Sequence, residues 1–423
     1  MPSSARPEAS DRDAGTLRRS EPGPERPGAA GAESGSMGML DGITVLDLAS
    51  VGPAARASRW LADYGARVVK VGPVPDRSGV QIVPPFHSYS AHRNMERALF
   101  DLKQPNGRAA FLRLADAADV VIESFRPGVV DRLGIGWQNL SARNPRLVYC
   151  STSGFGQGGP HAQWAGHDLN YLGIGGYLDC TGPAEGGGPP VPGATVADSA
   201  GGGMQAVMAI LAALVRRATT GTGAYLDVSV ADGVLALMAL QVDEYLATGV
   251  VPGPRHGLLT GRYACYDSYR TRDGKWVTVA AIEPRFWRNL CEALGVEQWT
   301  GHQTDDDVQD EIRADLRAAF ARKNRDEWTT ELSPADTCIA PVLSVPEVVD
   351  DPQFATRRAF VEAKHPEHGT FRQVGPLFAG TTAAPPGPYE VRDATETDTD
   401  DLLRAAGMTS EECRALRDAG AIA

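Results

Sequence analysis

The segment Ala165-Gly166-His167-Asp168-Leu169-Asn170-Tyr171 sets an imidazole and a carboxylate side by side, just after the glycine-rich run Gly154-Phe155-Gly156-Gln157-Gly158-Gly159-Pro160. Such a pair can remove a proton from carbon, or its carboxylate can attack an activated acyl group. A His-Asp dipeptide alone is more often a solvated turn or a helix cap; what raises its interest is the company it keeps. Asp198 lies in Val196-Ala197-Asp198-Ser199-Ala200-Gly201-Gly202-Gly203, and Glu283 in Ala280-Ala281-Ile282-Glu283-Pro284-Arg285-Phe286-Trp287. Each stands where an apolar run gives way to a helical pattern, a place where α/β folds mount exposed catalytic groups. Both also read as helix starts, Asp198 as an N-cap and Glu283 as the residue before a first-turn proline. The two roles are compatible, because a capping position exposes its carboxylate.

The elements that must position these groups follow from periodicity. Gly42 to Ala49 is a β-branched apolar run read as a buried strand, Ala54 to Gly65 has helical spacing, and Arg67 to Val71 is the next strand. This βαβ unit implies a parallel sheet with right-handed crossover. The helix Asn106–Ala117 with the strand Asp119–Glu123, and the helix near Trp137–Arg143 with Leu147–Ser151, extend it into a doubly wound sheet. A helix over Gly203–Arg217, a strand over Ala224–Val230 and a helix over Asp232–Ala247 follow. Residues 263–345 read as a smaller α+β unit, and from Val345 onward short helices and loops alternate. The first strand–helix turn lacks a GxGxxG pattern, which argues against a nicotinamide or flavin dinucleotide.

Composition narrows the partners. The chain has 423 residues, a formal net charge of −12, 42% hydrophobic and 22% charged residues, proportions typical of a globular protein. The acidic balance disfavours nucleic acid and anionic membrane surfaces as general partners. No apolar run approaches the roughly 18 residues of a membrane span, and Ala206–Val215 reads as a buried helix. The six cysteines show no CxxC spacing, so neither a metal site nor a disulfide framework is expected, and a reducing cytoplasm fits. The N-terminal stretch is built from Pro, Gly, Ala, Ser, Glu and Arg and is expected to be disordered, without a secretory signal.

Several separated segments resemble the family III CoA-transferase superfamily (CaiB/BaiF type). They are Gly42-Ile-Thr-Val-Leu-Asp-Leu, Leu61-Ala-Asp-Tyr-Gly-Ala-Arg-Val-Val-Lys, Asp101-Leu-Lys, Glu123-Ser-Phe-Arg-Pro-Gly-Val-Val-Asp-Arg-Leu-Gly, Asn144-Pro-Arg-Leu-Val-Tyr, Ser153-Gly-Phe-Gly-Gln-Gly-Gly-Pro, Gly166-His-Asp-Leu-Asn-Tyr and Cys338-Ile-Ala-Pro-Val-Leu. The resemblance is strongest to the α-methylacyl-CoA racemase branch. It implies an α/β fold with a Rossmann-like large domain, made from the N-terminal half plus the C-terminal segment, and a smaller inserted α+β domain. It also implies a homodimer whose subunits interlock. The layout expected is a disordered extension over 1–38, the large domain over 39–235, a linker over 236–262, the small domain over 263–345 and a return segment over 346–423.

In the superfamily's transferases the aspartate matching Asp168 is the nucleophile and is usually not preceded by histidine, whereas the racemases carry histidine there, as His167 does. The resemblance then implies His167 and Asp198 as the two bases and Glu283 as the residue orienting His167. Coenzyme A enters as part of an acyl-CoA substrate, with no other cofactor bound and no metal. Arg126 and Arg132 are candidates for its phosphates, and Arg93, Arg97 and Lys103 for its nucleotide end. Two alternatives stand beside the racemase: a CoA-transferase using Asp168 as covalent carrier, and a non-catalytic acyl-CoA-binding homologue. Two positions depart from the family pattern. Gly72 stands where many relatives carry an acid, and Arg262 puts a positive charge near the expected acyl pocket, which would suit a carboxylated acyl group or a transferase.

Overall fold

The computed structural model describes residues 38–75, 85–88, 93–182, 187–380, 389–392 and 396–423. Apart from Gly38, the N-terminal extension lies outside them. The central layer is a sheet of Thr44–Asp47 (β1), Arg67–Gly72 (β2), Glu96–Leu99 (β3), Val120–Glu123 (β4), Val148–Ser153 (β5) and Ala224–Ser229 (β6). The order is β3-β2-β1-β4-β5-β6, with every pair parallel, the doubly wound arrangement whose strand order reverses between β1 and β4.

Alternate residues of each strand feed two cores, as the period of 2 requires. Leu46, Val69, Val121 and Tyr149 face one side and pack with Phe111 and Leu114 of the helix Pro105–Ala115 (α2). Val45, Val68, Ile122 and Val148 face the other, against Ala54, Ala57 and Leu61 of the helix Gly52–Asp63 that follows β1 (α1). The first core is closed by the C-terminal end of the chain: Leu402, Leu403, Cys413 and Ile422 join it, and Ile422 bridges Phe100.

Beyond β5 the chain forms the short helix Asp168–Ile174, then one continuous helix over Ala197–Thr220. Its first eight residues, Ala197–Met204, are wound as a π-helix, and the rest is α-helical. This helix is longer than the sequence pattern indicated, and by length and composition it could cross a membrane. Its packing assigns it to the core layer: Ala206, Val207, Ile210 and Ala213 bury against the second core. The sequence reading placed the start at the glycines because glycine weakens helices. Here tertiary packing overrides that preference, since Cβ atoms on Gly202 and Gly203 would lie 2.5 Å from Pro53 and 2.9 Å from Trp60 of α1.

The smaller unit has a three-stranded antiparallel sheet made of Tyr266–Arg270, Trp276–Ala280 and Ile339–Pro341. Its own core holds Trp287, Leu290, Ile312, Leu316, Phe320 and Trp328. The region after Val345 departs from expectation. Phe360–His365 and Gly369–Val374 form an antiparallel hairpin joined by Tyr389–Glu390. Its strands bury few residues, chiefly Ala363, His365 and Gln373, so they carry no strong apolar alternation to read.

Candidate active site

A cavity of about 470 Å³ opens at the carboxyl ends of the strands, at the reversal between β1 and β4. Its walls come from Val51-Gly52-Pro53 after β1, Ser124 to Pro127 after β4, Thr152 to Gly154 at the end of β5, and Gly166, His167, Asn170, Tyr171, Asp198 and Val230. Open α/β sheets bind ligands at this point because the two adjacent loops diverge and leave a crevice.

The buried end of β1 fixes the first wall. Asp47 is fully buried and accepts a hydrogen bond from Lys70 Nζ at 2.5 Å and from the Ala49 backbone N–H at 2.7 Å, with Ser58 Oγ as a third donor. The second wall rests on Tyr171. Its hydroxyl donates to the Gly166 carbonyl at 2.6 Å, and Cβ atoms on Gly154 and Gly166 would lie 2.5 and 2.8 Å from its ring. These glycines are therefore required by close approach of the ring. Burial, with Asp198 and Asp168 nearby, pushes the Tyr171 hydroxyl up to about 12.

His167 is the N-cap residue of Asp168–Ile174, in extended backbone, with its N–H donating to Asn170 Oδ1 at 3.0 Å. Asp168 is the first residue of that helix, and its Oδ1 accepts the backbone N–H of Asp198 at 2.8 Å. Asp168 thus serves as the anionic cap of the long helix, where free N–H groups and the helix dipole favour negative charge. It is not among the described residues lining the cavity. Asp198 lines it, one residue inside the π-turn, so it is not the N-cap; Val196 holds that position. Its Oδ2 accepts from Arg56 at 3.2 Å. Burial raises the Asp198 carboxyl above the ordinary range, the Arg56 and His167 charges oppose that rise, and Asp168 adds to it.

Glu283 is the N-cap residue of the helix Pro284–Leu294, as its proline neighbour suggested, but it is exposed on the smaller unit. Among the described residues no hydrogen bond or ion pair joins it to His167. Arg126 lines the cavity and is exposed. Arg132 lies exposed on Val129–Arg132, and Lys103 is exposed beyond β3. Arg97 is half-buried, its N–H donating to Asp398 Oδ2 at 3.0 Å. Arg93 departs from expectation: it is 1% exposed, paired with Asp63 at 2.9 Å and bonded to the Val374 carbonyl at 2.8 Å. Its guanidinium ties α1 to the C-terminal hairpin and is enclosed away from any phosphate. Arg262 forms a bidentate pair with Asp306 at 2.9 and 2.7 Å, which neutralises the positive charge its position suggested for an acyl pocket.

Pattern reading missed two residues here. Arg56 resembles any helical arginine in sequence, and only the fold reveals its contact with Asp198. Glu123 ends β4 and is 1% exposed, with Oε2 accepting the Phe125 N–H at 2.8 Å. Burial raises its carboxyl to about 7, against the pull of the Ser151 and Phe125 hydrogen bonds, and no cation pairs with it among the described residues.

A doubly wound sheet with a histidine and two aspartates gathered beside its switch point matches, in sequence, the CoA-transferase family III profile over residues 40–389, and the chain belongs to that family. It is 34% identical to the human alpha-methylacyl-CoA racemase over 375 residues, covering 88% of this chain and 94% of the relative. It is 31% identical to the acetyl-CoA:oxalate CoA-transferase of Acetobacter aceti, covering 77% of this chain and 86% of the relative. The crystal structure of a CaiB/BaiF family protein from Brucella suis aligns with a TM-score of 0.66 at 28% identity, over 84% of this chain and 92% of that one. The family is enzymatic and acts on acyl-CoA substrates, by racemisation or by CoA transfer.

Proposed function

We propose that this protein is an α-methylacyl-CoA racemase-type enzyme that inverts the α-carbon of a 2-methylacyl-CoA by 1,1-proton transfer. The observation that carries this reading is the different placement of the two aspartates. His167 and Asp198 both line the cavity, while Asp168 points its carboxylate at the Asp198 backbone N–H and stands outside the lining. A covalent transferase needs Asp168 free to attack a thioester carbonyl, whereas a racemase needs two proton carriers addressing one carbon. Imidazole and carboxylate suit that task because their proton affinities can be tuned near neutrality. In this reading His167 takes the α-proton of one epimer and Asp198 delivers one to the opposite face. The thioester oxygen carries the developing negative charge in between. The similarity to the human and mouse racemases supports the same assignment.

Arg126 is assigned to the CoA phosphates from its place in the cavity wall, with Arg132, Arg97 and Lys103 as outlying contacts. Coenzyme A is part of the substrate, and the proposed chemistry calls on no other cofactor or metal. Glu283 is proposed to orient His167 from a second copy of the chain, in an interlocked homodimer. Exposed apolar side chains over Val230–Leu237 and Ala239–Thr248, among them Leu235, Leu237, Leu240, Tyr245 and Leu246, support such an interface. All six cysteines are free, which fits a reducing, cytoplasmic setting.

Three variants test the assignment. His167→Ala and Asp198→Asn should each lower racemisation by about 100-fold or more, the range of a lost general acid or base. Asp168→Asn keeps an oxygen to accept the Asp198 N–H and should retain activity within about tenfold on the same scale. Loss of all activity in Asp168→Asn, with a hydroxylamine-sensitive adduct in the wild type, would replace the racemase with a CoA-transferase.

A further inference from the structure

Arg56 lies in α1 and is 7% exposed. One guanidinium nitrogen donates to Asp198 Oδ2 at 3.2 Å and the other to Thr195 Oγ1 at 2.6 Å. These two anchors bracket the entry to the π-turn, one before it and one inside it, so the guanidinium plane and the carboxylate are held in a fixed relation. The approach of α1 depends on the triple glycine: a Cβ on Gly203 would lie 3.2 Å from Arg56 Cβ, and one on Gly202 would lie 2.5 Å from Pro53 Cβ. π-turns of this kind recur at functional sites because the extra residue per turn redirects a side chain. Asp198 Oδ1 is left without a hydrogen bond among the described residues, while the residue as a whole lines the cavity.

We infer that Arg56 is a positioning residue that clamps Asp198 through one oxygen and keeps its ionised form available to the proton-transfer pair. The inference rests on the racemase reading above. The charges that face Asp198 are Arg56 from α1 and His167, Asp168 and the Tyr171 hydroxyl from the short helix. Burial and Asp168 favour the protonated carboxyl, and Arg56 is the permanent cation that opposes them. A single proton shared between His167 and Asp198 can reside on either. With Arg56 present the form in which Asp198 is ionised stays populated beside the form with a neutral imidazole, so Asp198 accepts a proton from the epimer that faces it and His167 from the other. Without Arg56 the ionised form of Asp198 is disfavoured, and proton transfer between Asp198 and the α-carbon slows in both directions, because taking and returning a proton share one transition state; transfer at His167 is untouched. The loss is therefore one-sided.

The test is washout of label from each C2 epimer of a 2-²H-2-methylacyl-CoA into ordinary water, followed separately for wild type, Arg56→Met and Arg56→Lys. In Arg56→Met at neutral pH, washout from the epimer facing Asp198 should fall about tenfold or more, since removing an adjacent opposite charge moves a carboxyl by one to three decades. Washout from the other epimer should persist, with configuration largely retained. The lost reaction should return as pH rises, and Arg56→Lys should restore part of it at neutral pH. Equal loss for both epimers, or no loss, would overturn the clamp while leaving the racemase in place. A wild type that washes label from neither epimer would overturn the racemase reading and the clamp with it.

Discussion

Glu123→Gln should make the protein more stable than wild type in mildly alkaline solution and erase that advantage in acid. The Glu123 carboxyl is 1% exposed and its affinity for a proton is raised from an ordinary 4.5 to about 7 in the folded chain. Because the folded-state value is the higher one, the folded state binds the proton more tightly. The stabilisation from this group is complete below about 4.5 and is lost progressively as pH rises through about 7. Each decade of affinity corresponds to about 1.4 kcal/mol, so the full rise amounts to roughly 3 kcal/mol, of which about 2.5 falls between pH 5 and pH 8. Glutamine mimics the protonated acid: its oxygen can accept the Phe125 N–H and it carries no ionisable proton. Urea unfolding of both proteins at fixed concentration, at pH 5 and pH 8, measures the change in their stability difference. A shift toward the glutamine variant of about 2 kcal/mol or more is expected on the same arithmetic. A difference that stays flat with pH would show that Glu123 is solvated or paired in solution, and would refute the reasoning.

Two other outcomes follow from the packing. Gly202→Ala places a methyl 2.5 Å from Pro53 Cβ and 2.9 Å from Val230 Cγ2, and should cost about 1–3 kcal/mol as an overpacked contact; denaturant unfolding checks this, and an unchanged midpoint would argue against the close approach of α1 and the π-turn. If the subunits interlock as proposed, two differently tagged preparations mixed under native conditions should exchange subunits negligibly over hours, because separation then requires unfolding. Rapid exchange by native mass spectrometry, or a monomer by light scattering, would remove the proposed route for Glu283 to reach His167.

The sheet was the most legible part of the chain. Short runs of apolar and β-branched residues at Thr44–Asp47, Arg67–Gly72, Val120–Glu123 and Val148–Ser153, separated by helical spacing, leave few alternatives to a parallel layer. The C-terminal hairpin was hidden because Phe360–His365 buries little and so has no apolar rhythm. Helix Ala197–Thr220 was read short because three glycines argue locally against a helix, while the packing that favours it comes from Pro53 and Trp60, far away in sequence. Within the site, His167 and Asp198 stood out through their neighbours and do line one cavity. Arg93 and Arg262 illustrate the converse: an arginine's sequence position does not reveal whether a carboxylate already holds it. Arg56 and Glu123 carry no local signal, since their importance lies in which groups the fold sets beside them.

The most direct measurement of the central claim is proton exchange at the α-carbon. The protein should be incubated in heavy water with a single epimer of a 2-methylacyl-CoA, with mass spectrometry and chiral analysis of the product. The account predicts deuterium at C2, conversion toward an equal mixture of epimers, and CoA still attached. CoA appearing on an added carboxylic acid, with no deuterium at C2 across several acyl lengths, would contradict it.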